Sequence, residues 1–192
     1  MLAEEYNKKY WYEETEKHGD VYKYGTDYYA YKLFDNIITQ IKDIPDGKIV
    51  VMGTHNCVSF DLLCKHFGYN RCIGYDIANP TNHPNVIVKN VMELSEIDYF
   101  PIAFVHNDIG NFQLTPAAKL HAQKWAANCV VEGGYFLGRT NINYAKYDLE
   151  GTMKDLGFVN FNLQIASTFL DTSKIKKEDL IYHMLSKKVS RS

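Results

Sequence analysis

Between residues 26 and 47, "TDYYAYKLFDNIITQIKDIPDG", apolar side chains recur every three or four positions: Ala30, Leu33, Phe34, Ile37, Ile38 and Ile41. That spacing predicts a helix, with Thr26 or Asp27 as its cap and Pro45 and Gly47 ending it. "KIVVM" then reads as a short buried strand, and "SFDLLCKHFG" as a helix with Phe60, Leu63, Cys64 and Phe67 on one face and Gly68 after its end. "RCIGYDI", "NVIVKNV" and "IAFVHND" follow as further strands. In "TPAAKLHAQKWAANCVV", Thr115 and Pro116 open a helix whose inner stripe is Ala118, Ala122, Trp125, Ala126 and Cys129. "GGYFLGRT" is a fifth strand. "KYDLEGTMKDLG" is a helix interrupted by Gly151 and capped by Gly157. "FVNFNLQIA" and "LIYHMLSKK" close the chain as two strands with no helical pattern between them.

Strands alternating with helices imply a parallel sheet covered on both faces. The closing pair implies a hairpin that contributes an antiparallel strand. The expected architecture is therefore α/β: a Rossmann-like three-layer sandwich with a seven-stranded, mostly parallel sheet whose last strand is antiparallel. In such sheets ligands gather beyond the carboxyl ends of the strands. Five groups of residues should meet there: Gly53 to Cys57, Asp76 to Ala78, Asn90 with Val91, His106 to Gly110, and Arg139 with Thr140.

Composition narrows the class. The chain has 192 residues, 46% of them apolar, which suits one globular domain with a short extension. Its net charge of −2 and lack of a long basic run argue against a nucleic-acid partner. No apolar run approaches a membrane span, and "MLAEEYNKKYWYEE" resembles neither a secretory signal nor a transit peptide. A cytoplasmic location without a membrane partner is expected. Cys57, Cys64, Cys72 and Cys129 form no CxxC pair and are expected as reduced, mostly buried thiols.

Asp76 ends the second strand, 23 residues after Gly53. A carboxylate there can accept hydrogen bonds from both hydroxyls of a ribose. The bland reading is a strand-end Asp that caps the turn before "NPTNHP". A dehydrogenase is disfavoured, because GxGxxG is absent and nothing cradles a pyrophosphate.

On order and spacing, residues 26 to 188 resemble a class I S-adenosylmethionine-dependent methyltransferase. The family's loop after the first strand usually reads as an acidic residue followed by GxGxG. Here Val51 stands at the acid, Gly53 matches one glycine, and His55 and Cys57 replace the other two. The resemblance implies S-adenosylmethionine as cofactor. It implies that Asp76, with Ile77 beside it, binds the ribose. It implies that Gly53, Thr54, His55, Asn56 and Cys57 run beneath the amino-acid end. Asn90 and Val91 then fall where the family holds the adenine, and Asn107 and Asp108 where a polar pair lies beside the methyl-transfer centre. The side chains of His55 and Cys57 are expected to point away from the ligand, leaving backbone N–H groups toward it.

Methyl transfer is an in-line displacement that needs positioning first, and a base only where the acceptor must lose a proton. Asp108 or His106 is the candidate base, with His55 a third choice. His55, His106 and His121 are placed to approach one another near the edge, and His106 and Asp108 alternate on a strand; a metal site could use such ligands. No third ligand is fixed by spacing, however, so polar pocket lining without a metal is the expectation.

Residues 1–25 form an aromatic-rich extension carrying Tyr6, Tyr10, Trp11, Tyr12, Tyr22 and Tyr24. These rings are expected to pack on the core or on a second copy of the chain, giving a candidate homodimer. Tyr24, Gly25 and Thr26 are kept as candidate site residues. Residues 26–192 form the methyltransferase-like domain. Two functions remain: methyl transfer to a small-molecule acceptor, or a non-catalytic binding or assembly domain of the same fold.

Overall fold

The computed structural model describes residues 27–55, 57–109, 116–141, 149–165 and 181–190. The proposed N-terminal extension, with Tyr24, Gly25 and Thr26, lies outside them, as does Asn56.

The chain runs α1 (Asp27–Gln40), β1 (Lys48–Met52), α2 (Val58–Phe67), β2 (Cys72–Asp76), β3 (Val86–Val88), β4 (Ile102–Asn107), α3 (Pro116–Cys129), β5 (Val130–Asn141), α4 (Leu149–Asp155), β6 (Phe158–Ile165) and β7 (Ile181–Lys188). Three short 3-10 turns punctuate the connections before β2 and between β3 and β4. The seven strands form one sheet in the order β3-β2-β1-β4-β5-β7-β6. β7 inserts antiparallel between β5 and β6, and the pairings from β3 through β5 are parallel. The expected architecture is therefore the one found.

Side-chain alternation along the strands divides the core in two. Ile49 and Val51 of β1, Phe104 of β4, Leu137 of β5 and Leu185 of β7 face α1 and α2, against Leu33, Ile37, Phe60 and Leu63. Val50, Met52, Val105, Phe136 and Met184 face the other way, against Ala122, Trp125 and Ala126 of α3 and Met153 of α4. β1 and β4 are buried almost throughout, as both faces of a parallel sheet must be. The small residues predicted on α3 let it lie close to the sheet. Gly74 of β2 meets the same demand on the α2 side, where a Cβ would sit 2.6 Å from Thr54 Cγ2 and 3.1 Å from the Phe60 ring.

Three boundaries differ from the sequence reading. α1 stops at Gln40 rather than reaching Pro45, and the chain turns through a left-handed Asp43 (φ 53°). β5 continues to Asn141, so Arg139 and Thr140 are strand residues paired with His183 and Tyr182, not a loop beyond the strand. Long-range pairing with β7 extends β5 past the point where its local pattern fades. Gly151 lies inside α4 without interrupting it.

Phe104 and Ile97 separate core from surface sharply, at 0% and 95% exposure. Phe104→Ala should cost about 3–5 kcal/mol in a urea titration, because it leaves a cavity in the centre of the sheet. Ile97→Ala should stay within about 0.5 kcal/mol of the parent chain.

Candidate functional site

Parallel register brings the predicted groups to one edge. Met52 of β1 pairs with Tyr75 of β2 and with Asn107 of β4, and Asn107 pairs with Gly138 of β5. Two further bonds run past the strand ends. The Gly53 N–H donates to Tyr75 O at 2.8 Å, and the Asp108 N–H donates to Met52 O at 2.9 Å. The loops after β1, β2 and β4 are therefore held side by side.

The loop after β1 keeps the backbone of a glycine-rich loop without its glycines. Gly53, His55 and Cys57 all have positive φ, at 85°, 51° and 64°. For a residue with a Cβ, the left-handed conformation costs about 1–2 kcal/mol. At Gly53 a side chain would also collide with the chain itself, since its Cβ would lie 3.1 Å from Asp108 O and 3.2 Å from Asp108 C. Gly53 is thus required by the fold of the edge before any ligand is considered.

Asp76 ties this loop to β2. Its Oδ2 accepts the His55 N–H at 2.9 Å and the Thr54 hydroxyl at 3.3 Å, and its Oδ1 accepts the Ala78 N–H at 3.3 Å. A carboxylate offers about four lone-pair positions, so capacity for a ribose hydroxyl is left. The Cys57 N–H bonds Thr54 O at 2.8 Å. The amides of His55 and Cys57 are therefore taken up within the protein, where the sequence reading had them turned to a ligand. The Cys57 side chain packs in the core beside Phe60. Burial pushes its thiol pKa up, against the pull of hydrogen bonds from Thr81 and Thr54, so it offers no thiolate at neutral pH.

The His55 ring reaches across to β4. Its Nε2 lies 3.4 Å from Asp108 Oδ2 and 3.3 Å from the Asp108 carbonyl oxygen. Both partners are acceptors, so Nε2 carries a proton.

Asp108 also lies with His106, with which it alternates along the chain, and with His183, which the sequence did not bring to this edge. His106 of β4 and His183 of β7 lie with it in one cluster, their ligand-type atoms all within 4.8 Å of one another. The two imidazoles meet edge to face, 5.5 Å between centroids. All three residues are buried, at 1%, 4% and 4% exposure for His106, Asp108 and His183. His121 does not join them. It sits on α3 with Nε2 2.8 Å from Leu94 O. His183 carried a faint signal in the sequence: it alternates with Ile181 and Leu185 on one face of a strand, where an apolar residue would be expected.

The remaining predicted residues divide. Ile77 is half-buried beside Asp76, and Asn107 is half-buried at the end of β4. The Asn90 side chain accepts the Met92 N–H at 3.0 Å and caps a 3-10 turn. Val91 is buried in the core on the α3 side.

No protein-family model matches this chain, and no curated protein matches it. Solved structures do. A magnesium protoporphyrin IX methyltransferase from Synechocystis PCC 6803 with bound SAM is 9% identical, with a TM-score of 0.65 over 98% of each chain. A geranyl diphosphate C-methyltransferase from Streptomyces coelicolor A3(2), in complex with Mg2+, geranyl diphosphate and S-adenosyl-L-homocysteine, is 10% identical, with a TM-score of 0.65 over 98% of this chain and 99% of that one. An rRNA methylase from Streptococcus thermophilus is 14% identical, with a TM-score of 0.56 over 82% of this chain and 95% of that one. At these identities the likeness is one of fold, and the fold is that of the class I S-adenosylmethionine-dependent methyltransferases. Among the described residues, no helix is long and apolar enough to cross a membrane.

The left-handed His55 makes a clean comparison. His55→Gly and His55→Ala both lose the ring contact with Asp108, but only glycine relaxes the backbone. His55→Gly should be the more stable of the two by about 1 kcal/mol, the reverse of the order expected in a regular element. Equal melting of the two variants, or a more stable alanine form, would rule out the left-handed conformation at this position.

Proposed function

We propose that this chain transfers a methyl group from S-adenosylmethionine to a small-molecule acceptor. The observation that carries this is the backbone of the loop after β1. Three alternate positions hold the left-handed conformation that glycines normally supply, and two of them do so with side chains, at an energetic cost. The loop lies directly against the carboxylate at the end of β2. That conjunction supports a site kept for a ligand that needs this backbone path. The fold neighbours include a magnesium protoporphyrin IX methyltransferase and a geranyl diphosphate C-methyltransferase, which supports a small acceptor; an rRNA methylase is also among them, so the fold does not dictate acceptor size.

In this reading Asp76 holds the ribose and Gly53 to Cys57 run under the amino-acid end. Ile77, Asn90 and Asn107 border the cofactor, and Val91 supports it from within the core. S-adenosylmethionine supplies a methyl group on an electron-poor sulfonium sulfur. The chain's own task is to position an acceptor and, where needed, to take its proton. Asp108 is the candidate for that proton, and it holds the His55 ring with Nε2–H toward itself. His106 is more deeply enclosed and serves the acceptor end as a polar wall. The second reading, a non-catalytic domain that binds or assembles, draws on one observation: the Asp76 carboxylate already receives three donors from its own chain.

Calorimetry with S-adenosylmethionine and S-adenosylhomocysteine separates the two. Binding of either is expected, and Asp76→Asn should weaken it by about 1.5 kcal/mol, roughly tenfold, the scale of a hydrogen bond to a charged group. No affinity for either compound at about millimolar concentration would leave the non-catalytic reading standing.

A further inference from the structure

We infer that His106, Asp108 and His183 form a binding site for a divalent first-row transition-metal ion of the zinc class. The inference does not depend on the methyl-transfer reading.

Two chain segments contribute to the cluster. His106 comes from β4, Asp108 from directly after it, and His183 from β7, which reaches the site by inserting next to β5. The strand registers explain how they meet. His106 pairs with Leu137, Leu137 pairs with Leu185, and His183 stands two residues before Leu185. All four therefore project to the α1 side of the sheet. That face is built largely from apolar residues such as Leu33, Ile37 and Phe104, with Asn36, Gln40 and Asn162 at its rim.

The donor set suits such an ion. Imidazole nitrogen and carboxylate oxygen bind Zn2+ at about 2.0–2.2 Å, so three tetrahedral ligands lie about 3.4 Å apart. The atoms here lie within 4.8 Å of one another, so an inward movement of each by less than about 1 Å closes the set. Two histidines and one carboxylate leave further coordination positions for water or another ligand, the pattern of sites that accept zinc or iron rather than magnesium or calcium. His55 reinforces the assignment from outside. Its Nε2 lies 3.4 Å from Asp108 Oδ2, an ion-pair contact of the kind that orients a metal-binding carboxylate. His183 also lines a small cavity beneath α1, bordered by Leu33, Ile37 and Leu137.

The test uses the full chain, stripped with a chelator and titrated with Co2+, whose visible absorption reports its ligands. Zn2+ is then added in competition. Binding of a single Co2+ with a dissociation constant below about 10 μM, displaced by Zn2+, is expected. Asp108→Asn and His183→Gln should each weaken it by at least about 100-fold, beyond the usual effect of outer-shell changes. His121→Gln, whose ring bonds Leu94 O, should bind as the parent does. His183→Cys retains a ligand and should add a thiolate-to-cobalt charge-transfer band, a positive signal that does not depend on loss of binding. Far-UV circular dichroism checks that each variant is folded. Asp76→Asn should leave Co2+ binding unchanged while weakening S-adenosylhomocysteine, so the two proposals fail separately. No Co2+ binding by the parent chain, or equal binding by Asp108→Asn, His183→Gln and the parent, would overturn the site.

Discussion

Two hydrogen bonds beyond the ends of the strands govern this molecule: Gly53 N–H to Tyr75 O, and Asp108 N–H to Met52 O. They continue the β2–β1–β4 ladder by one residue on each side, and so convert three separate loops into one surface. Without them the loop after β1 would be an ordinary surface connection. With them its backbone passes so close to Asp108 that a side chain at position 53, already strained by its positive φ, would press on the Asp108 backbone. The parallel sheet makes this economical, because every parallel strand delivers its carboxyl end to the same edge.

The Asp76 carboxylate completes the arrangement. It receives the His55 amide, the Thr54 hydroxyl and the Ala78 amide, and so holds the path of the loop in a low-dielectric setting where charge-assisted bonds are strong. The same carboxylate is the group offered to a ribose in the proposed function. Structural and ligand-binding roles thus fall on one residue. A change at position 76 acts on both, which is why the milder asparagine substitution, and not alanine, is informative there.

Much of the fold was legible locally. Buried parallel strands such as "KIVVM" announce themselves as short β-branched runs, and α2 and α3 show clear apolar stripes with the expected end signals. The edge residues followed from that order alone: Gly53, Asp76 and Asp108 were all brought to the same rim. Boundaries were less legible where pairing overrides pattern. β5 runs through Arg139 and Thr140 because β7 supplies partners for them. Asn90 and Val91 were legible as a position but not as contacts, since a 3-10 turn sends one side chain to cap the backbone and the other into the core.

The sequence by itself determined the element order, the parallel character of the sheet, its antiparallel last strand and the edge at which chemistry gathers. These depend on short-range periodicity and on the rule that strands of a covered parallel sheet end together. Only the tertiary structure decided which histidines meet. His121, near in sequence to the edge, turns to Leu94 on the opposite layer. His183, far along the chain, comes to lie beside His106 and Asp108. It does so because β7 pairs between β5 and β6, and strand pairing across a long connection leaves no mark in the spacing of residues. The left-handed path at His55 and Cys57 is of the same kind: neither residue type announces a positive φ, and only the anchoring of the loop to Asp76 and Thr54 fixes it.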